Sequence, residues 1–305
     1  MTMNAIGLLH TLAALVLAPL LPAIIARTKA RFAGRQGPPL LQGYADLGKL
    51  FRKGTVLSRT ATWVFLAGPI ATCAALATTL AFVPLGGLAA PVSFGADLIL
   101  VAYLLGVARF VTVLAALDTG SSFEGMGGSR EVLVAALAEP ALLIGLAALA
   151  RFTGHFSLGP MIGSVTGPAW LAGAPALALV AAAVFVVMLA ENARIPFDDP
   201  NTHLELTMIH EVMVLDHSGP ALALVHYGAA LKLWIFGALL AGIVVPVRTA
   251  NPWIDGAAAL AGIAAIAVVI GVVESTRARV RLRSIPQLLV GAGALSALAM
   301  ILVLG

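Results

Sequence analysis

Charge is scarce in this sequence. Charged residues make up 10% of the 305, 18 Lys and Arg against 14 Asp and Glu, and mean hydropathy is +1.02. Soluble domains carry about 25% charged residues, so a water-soluble globule, whose surface needs polar cover, is excluded. Disorder is excluded as well, because it needs low hydrophobicity and high charge. Cysteine is nearly absent. Cys73 is the single thiol and lies in an apolar run. The chain therefore builds no internal disulfide and no four-cysteine iron–sulfur site, and Cys73 reads as a small core residue. No basic residue precedes the first apolar run between Met1 and His10, which argues against a cleaved signal peptide. No sequence repeat relates the two halves, which argues against a stand-alone transporter built from repeats.

Long, solid apolar runs are what the sequence does have. Eight segments, about 4–26, 62–83, 95–117, 131–150, 170–190, 221–247, 254–273 and 286–304, approach the roughly 20 residues that a membrane helix needs. A membrane barrel would show short alternating segments instead. These runs predict an all-α polytopic membrane protein of about eight transmembrane helices. We read it as one integral membrane domain over residues 1–305, with connections at about 27–61, 118–130, 191–220 and 274–285 on one side. The net charge of +4 and pI near 9.6 are topology signals rather than the mark of a nucleic-acid binder. Those four connections hold 14 of the 18 basic residues. By the positive-inside rule they are expected in the cytoplasm, with both termini on the outer side.

The first of these connections contains a helix of its own. Leu40, Tyr44, Leu47 and Phe51 recur at helical spacing, with Gln42, Asp46, Lys49 and Lys53 opposite, after Pro38-Pro39 and before Gly54. This predicts an amphipathic helix in the cytoplasmic interface, either a surface anchor or a docking shelf for a partner. The connection 118–130 is rich in Gly and Ser but lacks the Lys-Ser/Thr ending of a phosphate loop. It reads as a flexible link or a close backbone approach to a partner.

The stretch from Glu191 to Pro220 is unusually polar for a link between spans. It holds six of the 14 acidic residues, Glu191, Asp198, Asp199, Glu205, Glu211 and Asp216, and three of the six histidines, His203, His210 and His217. A metal site is disfavoured. The histidines fall seven apart, about 10.5 Å on a helix, and Val214 stands where a zinc-protease motif beginning at His210-Glu211 needs its second His. Thr202 and Glu205 form a capping box, so a helix is expected after Pro200 and ending at Ser218-Gly219-Pro220. Arg194 is expected to pair with Glu191 or Asp198. Functionally, crowded carboxylates and imidazoles form a proton-handling cluster. Three charges lie well inside the apolar runs, about two turns or more from an end: Arg109, Glu139 and Lys232. Each needs a partner or a wet cavity, because a charge at bilayer depth costs at least about 2.5–3.5 kcal/mol. Arg109 alone is placed to snorkel to the interface. Glu139 and Lys232 are thus the strongest candidates for a polar path, with Glu131 and Glu274 joining it to the loops.

Five segments together resemble a known family: 40–50 (LLQGYADLGKL), Gly128-Ser129-Arg130-Glu131, Glu139-Pro140, the run from Glu191 to Gly219, and 274–279 (ESTRAR). The chain resembles the respiratory complex I subunit 1 family over nearly its whole length. Within it, the branch it most resembles is that of formate hydrogenlyase-type and group 4 energy-converting NiFe hydrogenases. Asn201 to Glu211 looks like this branch, whereas Phe197-Asp198-Asp199-Pro200 departs from its usual Val-Asp-Asn-Pro, Phe197 being closer to the quinone-reducing branch.

The resemblance implies an eight-helix fold and a subunit, without cofactor or metal of its own, that anchors and couples a hydrogenase complex in a bacterial or archaeal inner membrane. Its implied partners are the hydrogenase large and small subunits and an iron–sulfur subunit, carrying the iron–sulfur clusters and the NiFe centre, together with antiporter-like membrane subunits. Nucleic acid is not among them. The residues and the resemblance together make Arg109, Glu131, Glu139, Glu191, Asp198, Asp199, Glu205, His210, Glu211, Lys232 and Glu274 the coupling candidates, and Asp46, Lys49, Arg130 and Arg194 the docking candidates. Alternatives are the quinone-site subunit of a complex I-like NADH dehydrogenase, a hydrogenase-related complex lacking hydrogenase activity, a transporter, and a purely structural anchor. A quinone pocket would need a lipid-side opening and aromatic lining beneath the first cytoplasmic connection.

Overall fold

A computed structural model describes residues 5–198, 208–249 and 251–305. Their helices are α1 (Ala5–Leu17), α2 (Leu20–Phe32), α3 (Gln42–Phe51), α4 (Trp63–Leu80), α5 (Asp97–Asp118), α6 (Ser122–Thr153), α7 (Leu158–Gly163), α8 (Gly167–Ala172), α9 (Ala174–Glu191), α10 (Gly219–Val244), α11 (Pro252–Thr276) and α12 (Ile285–Leu304). Among the described residues seven helical segments are long and apolar enough to cross a membrane, and the bent pair α1–α2 brings the number to eight where the pair counts as one span.

The continuous first span expected over 4–26 is broken: α1 and α2 meet at 48°. Pro19 supplies the cause. It has no N–H to give to the carbonyl four residues earlier, and its ring crowds that turn. The freed carbonyl of Leu15 accepts instead from the Tyr227 hydroxyl at 2.8 Å, and that of Val16 accepts from Tyr44. Tyr44 lies on α3, the predicted amphipathic helix, whose residues are all at least partly exposed. The kink therefore seats α3 against the bundle.

α10 runs through the middle of the bundle and is the most buried span. It packs on α4, α9 and α11, while α12 packs on α6 and α9. Small residues permit the close approaches: a Cβ on Gly68 would stand 2.6 Å from Ala115 across the α4–α5 contact. Cys73 faces this interior, its thiol directed at the Leu224 carbonyl.

Two expectations about the connections are corrected. The segment 118–130 is not a flexible link; α6 begins at Ser122 and continues without a break to Thr153. One of its glycines serves a close approach within the chain: a Cβ on Gly127 would stand 2.3 Å from Val212 and 2.9 Å from the Ile209 carbonyl. The helix expected up to Ser218 is reduced, within the described residues, to one 3-10 turn, Glu211–Val214, and Gly219-Pro220 opens α10. The N–H groups of Ile209 and His210 bond the Asp198 carboxylate, both at 3.0 Å, which draws them out of helical pairing. The proposed cap, Thr202 and Glu205, lies outside the described residues.

Candidate functional site

Successive spans run in opposite directions, so α2, α5, α9 and α11 end, and α4, α6, α10 and α12 begin, at one face of the bundle. This is the face where the basic connections gather. Just inside it, four spans contribute charged side chains to one constellation. Arg109, midway along α5, is at its centre. Its Nη2 lies 2.7 Å from Oε1 of Glu191, the last residue of α9, and its Nε lies 3.8 Å from Glu131 on α6. A third carboxylate, Glu139, two helical turns further along α6, also pairs with the guanidinium. On the other side of Glu191, Lys232 of α10 approaches Oε2 at 2.8 Å. Arg109 therefore does not snorkel outward; its side chain is 8% exposed and held by three carboxylates.

These five groups are three carboxylates sharing two cations. Fully ionised they carry one excess negative charge, and one bound proton makes them neutral. Shared cations in a low-dielectric setting link the carboxylates, so a proton or charge arriving at one alters the others.

A second cluster forms across the interior. Glu274 of α11 lies 2.9 Å from Lys29 of α2 and 3.5 Å from Arg194. Arg194 thus pairs with neither Glu191 nor Asp198 among its ion pairs. Burial draws its pKa down, and the neighbouring Glu274 carboxylate opposes that shift. Asp198 joins Arg279 at 3.0 Å as well as binding the two N–H groups described above.

Between the clusters lies a cavity of about 510 Å³. Glu131, Glu191, Lys232 and Arg109 line one part, and Lys29, Arg194 and Glu274 another. His210, Glu211 and His217 reach it from the segment before α10. Pro19 and Pro22 at the kink, Leu47 and Leu50 of α3, and Pro69 of α4 line it as well. His217 stacks on Phe65, ring centroids 4.0 Å apart, and burial pushes its pKa down to about 4. A separate groove of about 260 Å³ on the outside of α5 and α6 contains Gly106, Phe110, Ala136 and Glu139. Arg109 lines both spaces. The Glu139 side chain is 48% exposed on this outer face.

The structure therefore brings Arg109, Glu131, Glu139, Glu191 and Lys232 into one cluster. Glu274, His210 and Glu211 lie around the same cavity. Asp198 sits behind it as a connector, and Asp199 and Glu205 lie outside the described residues. Of the docking candidates, Arg130 turns inward, donating to the Met208 carbonyl at 2.7 Å, and Arg194 is held by Glu274. Asp46 and Lys49 pair with each other at 3.5 Å on the exposed face of α3. Among the described residues no three His, Cys, Asp or Glu side chains converge as metal ligands would. Sequence reasoning missed Lys29, counting it only as topology charge. Its partner lies on the last turn of α11, and no local pattern links the two.

Comparison with known proteins agrees with this architecture. A family described as NADH dehydrogenase matches residues 4–305. Formate hydrogenlyase subunit 4 of Escherichia coli (strain K12) is 29% identical over 287 residues, 92% of each chain. Hydrogenase-4 component C of the same organism is 32% identical over 232 residues, 76% of this chain and 72% of the relative. A chain from the archaeal membrane-bound sulfane sulfur reductase complex shares the fold, with a TM-score of 0.83, 23% identity and 98% of both chains covered. With a match over nearly its full length, the chain belongs to the NADH dehydrogenase family, the respiratory complex I subunit 1 family that its motifs resemble.

Proposed function

We propose that this chain is the membrane anchoring and coupling subunit of a formate hydrogenlyase-like hydrogenase complex. It links electron transfer in cytoplasmic partners to proton or sodium translocation and holds no redox centre of its own. The observation that carries this reading is the position of Arg109. Its guanidinium is the common wall of an inner charged cavity and an outer groove, and it joins Glu131 and Glu191 on the inside to Glu139 on the outside. The curated relatives named above support the choice of complex.

In this reading the basic face is cytoplasmic and both termini face outward across a bacterial or archaeal inner membrane. Hydrogenase large and small subunits and an iron–sulfur subunit, bearing the iron–sulfur clusters and the NiFe centre, dock on that face. Electron transfer there shifts charge near His210 and Glu211. The shift alters which carboxylate of the Arg109 cluster holds the proton. Glu139 passes that change to an antiporter-like subunit covering the outer groove, because a half-exposed carboxylate at membrane depth requires a polar neighbour. Each step is a coupling free energy between adjacent charges.

The quinone-site alternative expects aromatic lining. The described cavity wall contains no Phe, Tyr or Trp, so the coupling reading fits better.

The test is extraction of the native complex in mild detergent, identification of every co-purifying chain, and assay of hydrogen production from a reduced dye. A nickel–iron partner with hydrogen production supports the reading. Partners lacking nickel and hydrogen production overturn it in favour of a hydrogenase-related or quinone-linked complex, and a chain that purifies alone favours a transporter.

A further inference from the structure

The cytoplasmic extension of α6 carries Glu124, Gly127 and Arg130 at intervals of three residues, so they share one helical face. All three meet the segment 208–217. Buried Glu124 accepts the Asp216 N–H on Oε1 at 3.1 Å. Gly127 leaves room for Val212, Met213 and the Ile209 carbonyl, where a Cβ would clash. Arg130 donates to the Met208 carbonyl at 2.7 Å. The contacts follow the helix in reverse chain order, 216, then 212–213, then 208. The segment thus lies antiparallel along about two turns of α6. The next residue, Glu131, faces Arg109. Glu124 forms no ion pair among the described residues, so its evident duty is that of a hydrogen-bond acceptor.

We propose that Glu124, Gly127 and Arg130 are positioning residues that fasten the 208–217 segment to α6, hold His210 and Glu211 at the cavity, and make displacement of that segment felt at Arg109 through Glu131. This deepens the coupling role proposed above and rests on it. The segment lines the cavity through His210, Glu211, Met213 and His217, and α6, like α5, is a rigid element that touches both it and the Arg109 cluster. A shift of the segment is therefore transmitted along about 10 Å of helix between Glu124 and Glu131 without any intervening loop.

The experiment uses the intact complex in nanodiscs for hydrogen–deuterium exchange and in sealed vesicles for ions translocated per electron. Glu124→Ala removes the acceptor, Glu124→Gln keeps a side-chain carbonyl in its place, and Gly127→Ala tests the close approach. Glu124→Ala and Gly127→Ala are expected to exchange the 208–217 amides about tenfold faster. They also lower ions per electron roughly twofold or more, with electron transfer retained. Glu124→Gln leaves both readouts as in the parent. Unchanged exchange in Glu124→Ala overturns the proposal, as does faster exchange with unchanged coupling. Equal loss in Glu124→Gln also overturns it, because charge rather than hydrogen bonding would then be at work. If the parent complex translocates no ion, the coupling role itself fails, while the exchange measurement still decides whether the fastening exists.

Discussion

Buried carboxylates occur at both ends of the bundle, and the two ends hold them differently. Away from the basic face, Asp97 accepts from the hydroxyls of Ser93 and Ser157 and from the Leu158 N–H, stapling α5 to the start of α7. Asp255 accepts the N–H and hydroxyl of Thr249. Arg248, nearby, donates only to carbonyls. These donors are neutral, and each carboxylate has its own set. Near the basic face the carboxylates of the two clusters share their cations or bind more than one: Arg109 serves three, and Glu191 and Glu274 each face two cations, whereas Asp198 pairs with Arg279 and holds two backbone N–H groups, as the staples do. Privately held carboxylates fix loops; carboxylates with shared cations form a set in which charge can move. The same side chain thus acts as a staple at one end and, in the proposed function, as part of a relay at the other.

The largest effect is expected at Glu191. Glu191→Ala leaves Arg109 and Lys232 facing each other without their common carboxylate. Removing one partner from a buried ion pair costs about 3–5 kcal/mol, read as a lowered thermal midpoint of the purified complex. Glu191→Gln is expected to recover much of that stability but not ion translocation; full translocation in this variant would break the comparison. The next effect lies at the other end. Asp97→Ala leaves the Leu158 N–H and the serine hydroxyls without their acceptor and costs about 1–3 kcal/mol. Ions per electron should be unchanged, and a loss there would put Asp97 in the relay.

The eight apolar runs were legible because bilayer thickness demands about 20 such residues each time, and α3 because its two faces differ in polarity. The break at Pro19 was not: membrane helices often tolerate proline, and only the hydroxyls of Tyr44 and Tyr227, remote in sequence, reveal that the carbonyls of Leu15 and Val16 are free. The start of α6 was hidden by its glycines, weak helix formers, one of which is needed beneath Val212. The cluster members Arg109, Glu139, Glu191 and Lys232 stood out as charges in or beside apolar runs. Their shared geometry did not, because the pairing joins four helices. The link of Arg194 to Glu274 was hidden for the same reason, and local alternatives at Glu191 and Asp198 were closer in sequence.

A smaller effect is expected from pH. His217 is held neutral by burial, its pKa pushed down to about 4 from an ordinary 6.5. The unfolded or loosened segment therefore binds a proton that the packed one refuses, and packing loses stability as pH falls from about 6.5 toward 4. Above 6.5 this contribution is fully present. Protection of the 208–217 amides, taken relative to the intrinsic exchange rate at each pH, should fall across that window, and His217→Phe, which keeps a ring against Phe65, should flatten the dependence. The smallest effect belongs to the exposed pair on α3. Lys49→Ala is expected to change stability by less than about 1 kcal/mol. If α3 is a docking shelf, it weakens retention of the cytoplasmic partners in a pull-down; unaltered retention removes Lys49 from the docking surface.

The relay is tested most directly at its outer end, where Glu139 contributes little to packing yet faces the groove. Ions translocated per electron should be measured in sealed vesicles bearing the intact complex with Glu139→Gln, alongside its subunit content. Assembly and electron transfer should persist while translocation collapses. Translocation equal to the parent would contradict the relay, and a complex that no longer assembles would make Glu139 a structural contact instead.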